Sequence, residues 1–335
     1  MRTNIRIVIV LAASALSLDA HAAEICGNGL DDDADLLVDE QCYPGLTTGQ
    51  CESPLSCADT GDVSPSTGSL HYSLPPDISP SVPWGPGIGF RRFYVSQYSP
   101  GAGAPTWRKP LGERWGHTYM SWLDKNTTPS PDQVVVHLPR GQDAMFQFTS
   151  TVSGWDEYKT FQPGFHFQYL RQRVASPNEY ELKTLTGEVL VYNSAGKLTE
   201  IRDTLATPNV VLIAYGANNH ISTVTDASGR RRLSFSYANG RIASMAFQIN
   251  TGTWTTQHTT TYGYTGGLLT SVTIGGQLAQ INVYTSSYLT SIQDGGSKSL
   301  VNFSYDAATP GKIVRVDTPR GVVGYEYAGR VPIVV

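Results

Sequence analysis

Five carboxylates lie close together near the N-terminus of this 335-residue chain: Asp31, Asp33, Asp35, Asp39 and Glu40. Negative charges at this density repel one another unless a cation or full solvation relieves them. The alternating aspartates match the first half of a calcium loop, which places oxygen ligands at positions one, three and five. A complete EF-hand loop would have glycine at Leu36 and glutamate at Cys42. The segment is therefore expected either to bind calcium or to form an acidic linker closed by disulfides.

The cysteines of the chain flank or follow this acidic segment, at Cys26, Cys42, Cys51 and Cys57. An even number of cysteines in an exported protein favours disulfide formation, and four cysteines allow three pairings. Neighbours in a short segment meet most easily, which favours Cys26–Cys42 and Cys51–Cys57. Sequence alone does not decide among the pairings.

The first 22 residues have the features of a secretory signal peptide. Arg2 and Arg6 precede an apolar run over residues 7–18, and Ala20-His21-Ala22 provides small residues at a cleavage site, so the mature chain is predicted to start at Ala23. The apolar run is too short to cross a bilayer core of ~30 Å, and no later segment is long and apolar enough to do so. We expect an exported protein without an integral membrane span, located outside the cell, in the periplasm or at the cell surface.

Sequence motifs of the common enzyme classes are absent. The chain has no His-Glu-x-x-His, no Gly-x-Ser-x-Gly and no phosphate-binding loop of the Gly-x4-Gly-Lys type. Its histidines are scattered without the spacing of metal ligands. Charged residues make up 16% of the chain and the net charge is −4, which provides no basic face for nucleic acid. These features predict a non-enzymatic protein that does not bind nucleic acid.

Tyrosines recur in the second half of the chain at intervals of 20 to 23 residues, with one interval of 27: Tyr192, Tyr215, Tyr237, Tyr264, Tyr284, Tyr305 and Tyr327. Between them an apolar-x-x-apolar phrase returns, in several units with an aspartate after it. The clearest examples are Leu198-x-x-Ile201-x-Asp203, Ile221-x-x-Val224-x-Asp226, Leu289-x-x-Ile292-x-Asp294 and Ile313-x-x-Val316-Asp317. Self-similarity at a fixed period predicts a repeat architecture.

Each repeat is predicted to form a β-hairpin. Leu233, Phe235 and Tyr237 alternate with small or charged residues and so share one face of a strand. Asn239-Gly240 follows and suits a two-residue turn, whose central positions prefer positive φ. The aspartates stand at strand exits, in one case three residues before Gly229. A carboxylate there can accept backbone N–H bonds and fix the turn, which is the role predicted for these aspartates.

The pattern Tyr-x-x-x-Gly-x-Leu/Ile with a downstream Asp resembles the YD repeat of the Rhs and teneurin-like proteins. Upstream segments are similar to the N-terminal domain that precedes those repeats: Gly61-Asp-Val-x-Pro-x-Thr-Gly-x-Leu70, Gly89-Phe-Arg-Arg-Phe-Tyr-Val-Ser96 and Leu111-Gly-x-x-Trp-Gly-His-Thr-Tyr119. The acidic segment resembles a Cys-Gly-(Asp/Asn)-Gly-x-Asp-x-Asp motif of exported bacterial proteins, especially from myxobacteria, which implies metal binding. In the Rhs family, consecutive hairpins spiral into a hollow β-shell that in bacterial members often encloses a toxin.

The residue patterns and the resemblance together predict an all-β chain in four parts: a signal peptide (1–22), a Cys/Asp-rich segment and linker (23–60), a Pro-, Gly- and Trp-rich β domain (61–170) and hairpin repeats (171–335). The array of about six units stops in mid-unit, so we expect part of an open shell, either a truncated reading frame or a chain that pairs with another repeat protein. Its expected role is the N-terminal part of an Rhs-type shell or a cell-surface scaffold linked to toxin delivery or cell contact. The alternative is an adhesive module that binds glycans through residues such as Trp155 and Trp254, and an extracellular hydrolase ranks third.

Overall fold

The computed structural model describes residues 62–64, 67–80, 84–99, 104–127, 131–161, 167–185, 187–328 and 331–334. The regular secondary structure of these residues is almost entirely β-strand, which confirms the predicted all-β fold. No helix of this described part is long and apolar enough to cross a membrane. The predicted signal peptide, acidic segment and four cysteines lie outside the described residues and stay predictions.

The first four strands form a small antiparallel sheet in the order β1–β2–β3–β4. Their bounds are β1 Asp62–Val63, β2 Leu70–Ser73, β3 Arg92–Val95 and β4 Trp115–His117. A short 3₁₀ helix, Thr106–Arg108, lies between β3 and β4. The side chains of Tyr94 and Trp115 are fully buried, so this small sheet contributes large aromatic residues to the core.

The remaining strands form one large antiparallel sheet, in which each strand pairs with the next along the chain. The strands that precede the tyrosine repeats are β5 Trp122–Asn126, β6 Gln133–Leu138, β7 Gln142–Val152, β8 Trp155–Thr160, β9 Phe167–Arg173 and β10 Tyr180–Thr184. Since β9 pairs with both β8 and β10, the sheet is continuous across residue 170. The division of the chain into domains remains a prediction.

The repeats occupy the rest of this sheet. Their strands are β11 Val189–Tyr192, β12 Leu198–Arg202, β13 Val210–Tyr215, β14 Ile221–Thr225, β15 Arg231–Ala238, β16 Arg241–Asn250, β17 Trp254–Thr265, β18 Leu268–Ile274, β19 Gln277–Thr285, β20 Tyr288–Asp294, β21 Ser299–Tyr305, β22 Ile313–Thr318, β23 Gly321–Ala328 and β24 Val331–Val334. A second 3₁₀ helix, Ala217–Asn219, lies in the turn between β13 and β14. Hairpin follows hairpin to the last described residue.

The large sheet curves back on its own first strand. Trp122 of β5 forms an antiparallel bridge with Lys197, which immediately precedes β12. The backbone N–H of Leu123 donates to the carbonyl oxygen of Gly196 over 2.8 Å. A strand at the start of the sheet therefore contacts the β11–β12 turn, so the sheet bends enough between β5 and β12 to bring them together.

The β15–β16 hairpin has the turn that its sequence predicts. Asn239 and Gly240 have φ values of 50° and 72°, which gives the two positive angles of a tight hairpin turn. On β15, Leu233 and Phe235 are buried while Ser236 and Ala238 are exposed, as the alternation predicts. The same face packs against the segment that leads into β3, where the Phe90 and Phe235 ring centroids are 5.5 Å apart. Burial of each such side chain stabilises the fold by about 1.5–3 kcal/mol.

Candidate functional site

The repeat tyrosines form a ladder of hydrogen bonds along the hairpin array. Each tyrosine hydroxyl donates to the backbone carbonyl of the first apolar residue in the preceding unit's apolar-x-x-apolar phrase. The donor–acceptor pairs are Tyr215–Leu198, Tyr237–Ile221, Tyr264–Ile242, Tyr284–Leu269, Tyr305–Leu289 and Tyr327–Ile313, and the first five measure 2.7 to 2.9 Å. The tyrosine of one unit and the apolar-x-x-apolar phrase of the unit before it are thus hydrogen-bonded partners.

A β-bulge makes this ladder possible. The strand register shifts immediately before the tyrosine in each of six hairpins, at Tyr192, Tyr215, Tyr237, Tyr264, Tyr284 and Tyr305. A bulge interrupts the regular strand pairing and bends the strand. It therefore leaves backbone groups near the tyrosine available for partners outside the hairpin.

The segment that precedes the repeats supplies several of these partners. Ile242 N–H donates to the carbonyl of Pro110 over 2.8 Å, and Ile313 N–H donates to the carbonyl of Gly68 over 2.9 Å. Leu289 N–H donates to the hydroxyl oxygen of Tyr94 over 3.0 Å. The N-terminal segment thereby satisfies buried donors at the starts of three returning strands, and unsatisfied donors of this kind are costly.

The first repeat tyrosine, Tyr192, has no earlier repeat to receive its hydroxyl. Its partner is the Ser121 hydroxyl, 2.8 Å away. Ser121 donates its own hydrogen to the carbonyl of His137, so Tyr192 acts as the donor. The ladder is therefore anchored in the strand pair β5–β6 that precedes the repeats.

Burial raises the pKa of the ladder tyrosines above its ordinary value of 10. The cause is desolvation, since the phenolate is the form that burial penalises. For Tyr327 the pKa rises to about 12. These hydroxyls are consequently protonated at neutral pH and can donate the hydrogen bonds of the ladder.

The aspartates of the repeat signature have two different kinds of hydrogen-bond partner. Asp203 accepts the backbone N–H groups of Leu205 and Asn209, Asp226 accepts those of Arg230 and Arg231, and Asp294 accepts those of Gly296 and Lys298. Asp317 differs, because its carboxylate receives the guanidinium of Arg315 at 2.8 Å. In that hairpin the backbone N–H of Arg320 in the turn donates to Thr318 Oγ1.

Tryptophans proposed as glycan platforms are engaged by arginine. The Arg171 and Arg173 guanidinium carbons lie 4.1 and 4.8 Å from the Trp155 ring centroid. The Arg232 guanidinium carbon lies 4.0 Å from the ring centroid of Trp254. Cation–π stacking of this kind occupies an aromatic surface that a sugar would need.

A cavity of about 440 Å³ lies between the connection from β2 to β3 and the repeat strands β18–β22. Its lining is mainly aliphatic and aromatic, with Leu74 and Ile292 among the apolar residues, while Asp77, Arg92 and Gln280 provide polar groups. Volumes of this order are typical of pockets for small molecules. Asp77 is the single carboxylate among the described residues that line the cavity, so these residues do not provide the carboxylate pair of a glycosidase.

The polar groups of the cavity form a buried network. Arg92 donates from Nε and Nη2 to the two carboxylate oxygens of Asp77, each at 2.7 Å, and from Nη2 to Gln280 Oε1 at 2.9 Å. The Tyr262 hydroxyl donates to Asp77 at 2.7 Å. Burial disfavours the charged form of Arg92, but the attraction of Asp77 raises its pKa. Both side chains of the ion pair are 2% exposed.

Sequence reasoning missed this network, although the repeat carries a signal for it. In the units that end at Tyr215, Tyr237 and Tyr305 the positions four and two residues before the tyrosine are apolar and buried, as Val301 and Phe303 are. In the unit that ends at Tyr284 these positions are Gln280 and Asn282, which are also buried. Polar residues at core positions require polar partners, and Arg92 supplies one.

Within the described ranges no three His, Cys, Asp or Glu residues cluster closely enough to hold a metal ion. The predicted ligands Asp31, Asp33, Asp35, Asp39 and Glu40 lie outside those ranges. The calcium prediction is therefore untested.

The chain has little similarity to known proteins. No family model matches the chain, and no curated protein sequence matches it. A solved structure of the Photorhabdus luminescens Tc holotoxin pore is similar over 61% of this chain and 14% of that chain, with 11% sequence identity and a TM-score of 0.26. The matching region thus spans about a seventh of the length of that protein.

Proposed function

We propose that this chain is a non-enzymatic, exported repeat scaffold, the N-terminal part of an Rhs-type shell or of a cell-surface interaction protein. The tyrosine ladder is the observation that carries this proposal. It joins successive hairpins into one continuous wall, and the small N-terminal sheet with its connecting segments holds that wall through Gly68, Tyr94 and Pro110. Repeat arrays of this kind offer extended surfaces to partners.

The polar groups support a structural role over a catalytic one. The ladder hydroxyls are used as backbone donors, and three signature aspartates hold turns. The one carboxylate of the cavity is held by Arg92 and Tyr262. The proposed partner is another repeat chain or a protein on a cell surface, and toxin delivery or cell contact is the setting that the Rhs resemblance implies.

A cell-binding assay tests this function. The fluorescently labelled full chain is incubated with intact bacterial cells that are untreated, protease-treated or periodate-treated. Loss of binding after protease supports a scaffold with a protein partner, whereas loss after periodate supports the glycan-binding alternative. Absence of binding together with hydrolysis of a polysaccharide or peptide library would overturn the scaffold proposal.

Export and calcium binding are proposed together, because both depend on residues near the N-terminus. N-terminal sequencing of protein secreted from a bacterial host should begin at Ala23. Equilibrium dialysis of that mature protein should detect calcium that a triple Asp31→Asn, Asp33→Asn, Asp35→Asn variant does not bind. Retention of the first 22 residues, or equal calcium binding by the variant, would contradict the respective proposal.

A further inference from the structure

The cavity between the β2–β3 connection and strands β18–β22 combines buried and exposed apolar side chains. Leu74, Val272 and Ile292 line it and are at most 4% exposed, whereas Leu300 lines it and is 44% exposed. Its volume of about 440 Å³ is typical of ligand pockets, which are lined mainly by apolar side chains. We propose that it binds a neutral, apolar small molecule, a role distinct from that of the repeat scaffold.

The water-exposed apolar side chains of the lining are the first argument for an apolar ligand. Besides Leu300, the lining includes Tyr72 and Ile274, which are partly exposed. An apolar molecule in the cavity would remove this surface from water, and the gain in free energy grows with the apolar area that is buried.

Three prolines give the exposed part of the cavity a fixed backbone. Pro75, Pro76 and Pro319 line the cavity and are exposed. A proline ring fixes the φ angle of its residue, so these positions have little conformational freedom to lose when a ligand binds. The cavity is therefore largely formed before a ligand arrives, as small-molecule sites usually are.

The central polar groups of the lining already have partners within the protein. Both carboxylate oxygens of Asp77 accept hydrogen bonds from Arg92, and one of them also accepts the hydroxyl of Tyr262. Gln280 accepts from Arg92 through Oε1 and donates to Asn282 through Nε2. This network is complete without a ligand.

The other polar side chains of the lining are engaged or out of reach. Arg92 Nη1 has no partner, but less than 1 Å² of it is accessible, so a ligand in the cavity cannot reach it. Thr318 Oγ1 donates to the carbonyl of Gly321, and both Tyr72 and Arg320 interact with other groups of the chain. The described lining thus offers no free side chain to replace the water that a charged ligand would lose, which favours a neutral one.

Two β-bulges place apolar residues at the cavity. The register of β18 and β19 shifts so that Ala279 has no direct partner, and the register of β20 and β21 shifts in the same way at Leu300. Both residues line the cavity. A similar shift between β16 and β17 leaves Gln257 without a partner, and Gln257 is not among the lining residues. Bulges redirect side chains beside functional sites, and here the two that reach the cavity bring apolar ones.

Fluorescence titration of the full chain with N-phenyl-1-naphthylamine tests the proposal. This probe is neutral and apolar, and its emission increases when it leaves water. Saturable binding with a stoichiometry of one is expected. Absence of saturable binding would overturn the proposal.

Two competitors of similar shape test the preference for a neutral ligand. Naphthalene and 2-naphthoate share one ring system, and only 2-naphthoate is charged. Naphthalene should displace the probe, and 2-naphthoate should do so at least about tenfold more weakly, because its carboxylate would lose hydration without gaining a donor. Equal displacement by the two compounds would overturn the assignment of a neutral ligand.

Two variants, each with a matched control, locate the binding. Ala279→Trp places an indole at the cavity and Leu300→Asn makes its exposed part polar, so each should weaken binding of the probe, the first by at least about tenfold. Ala214→Trp and Leu205→Asn make the same changes at exposed positions outside the lining and should bind the probe like the wild type. Near-UV circular dichroism checks that each variant is folded. Unchanged probe binding by both cavity variants would show that the site lies elsewhere.

Discussion

The indole Nε1 of Trp115 donates a 2.9 Å hydrogen bond to the hydroxyl oxygen of Tyr284, and that hydroxyl in turn donates to the carbonyl of Leu269 at 2.7 Å. The two aromatic residues are 169 positions apart in sequence. Tyr284 is therefore both a rung of the repeat ladder and the acceptor for a fully buried tryptophan of the small sheet. This relay connects the N-terminal sheet to the repeat array.

The relay predicts unequal effects for two tyrosine substitutions. Tyr284→Phe removes the ladder bond and also leaves the Trp115 N–H without its acceptor, so it should reduce the free energy of unfolding by about 1–3 kcal/mol. Tyr215→Phe is the matched control, since its hydroxyl donates to Leu198 and receives no indole. It should cost about 0.5–1.5 kcal/mol. Urea unfolding measures both, and equal losses would contradict the relay.

The signature aspartates predict a second contrast. Asp226 is 3% exposed and accepts two backbone N–H groups and the Ser228 hydroxyl, so Asp226→Ala should destabilise the chain by about 1–3 kcal/mol. Asp317 accepts the guanidinium of Arg315, whose side chain is 55% exposed. Surface pairs of this kind contribute about 0–1 kcal/mol, and Asp317→Ala should cost no more. Thermal unfolding of the two variants distinguishes these roles, and equal midpoints would refute the distinction.

Glycine substitutions test the contact that curves the large sheet back on itself. Gly196 and Gly229 both have positive φ, 76° and 66°, so alanine strains the backbone at either position. A Cβ at Gly196 would also press against the carbonyl oxygen of Leu123, whereas at Gly229 it would meet no atom within 4 Å. Gly196→Ala should therefore lower the unfolding midpoint clearly more than Gly229→Ala. Similar midpoints would argue against close contact between β5 and the β11–β12 turn.

Local patterns predicted the local structure. Alternation at Leu233 and Phe235 and the Asn239-Gly240 dipeptide specify a strand and a turn through residues adjacent in the chain, and the structure has both. The similar phrases at Asp226 and Asp317 were given one role, but the carboxylates have different partners because Arg315 is present in only one of these hairpins.

Long-range contacts could not be predicted in this way. Arg92 and Gln280 are 188 residues apart, and nothing in either local sequence identifies the other as its partner. The Gln280-x-Asn282 pair, at positions that are apolar in other units, indicates only that a polar partner is needed there and not which residue provides it. The tyrosine ladder could not be predicted from the motif either. The motif shows that a tyrosine and an apolar residue recur together. It does not show that a bulge exposes the backbone carbonyl to which the tyrosine hydroxyl donates.

Two histidines, the buried His117 and the half-buried His71, predict a loss of stability in mild acid. Burial lowers the pKa of His117 to about 3 and that of His71 to about 4, from an ordinary value of 6.5. Below pH 6.5 the unfolded chain therefore binds protons that the folded chain does not, so the free energy of unfolding should fall as pH decreases. Each histidine contributes at most about 1.4 kcal/mol per pH unit. Urea unfolding at pH 7, 6 and 5 measures this slope.

A substitution assigns that acid sensitivity. His117 Nδ1 accepts the backbone N–H of Tyr119 at 3.2 Å, and an asparagine side-chain oxygen offers a non-titrating acceptor. His117→Asn should make the fall in stability between pH 6.5 and pH 5 shallower, even if the variant is less stable at pH 7. An unchanged slope would show that His117 is not excluded from protonation in the folded state.

The tyrosine ladder predicts a complementary loss of stability at alkaline pH. Burial raises the pKa of Tyr215, Tyr237, Tyr264 and Tyr284 above 10. Above pH 10 the unfolded chain therefore releases protons that the folded chain keeps. The stability contributed by the ladder is fully present below pH 10 and decreases as pH rises.

Absorbance at 295 nm, which reports ionised tyrosine, measures this difference. At pH 11 it should show few tyrosinates in the native protein and many in protein unfolded with guanidinium. A Tyr215→Phe, Tyr237→Phe variant should lose stability less steeply above pH 10, because it has two fewer protons to release on unfolding. Ionisation of the ladder tyrosines near pH 10 without unfolding would mean that their hydroxyls are solvated and do not hold the hairpins together.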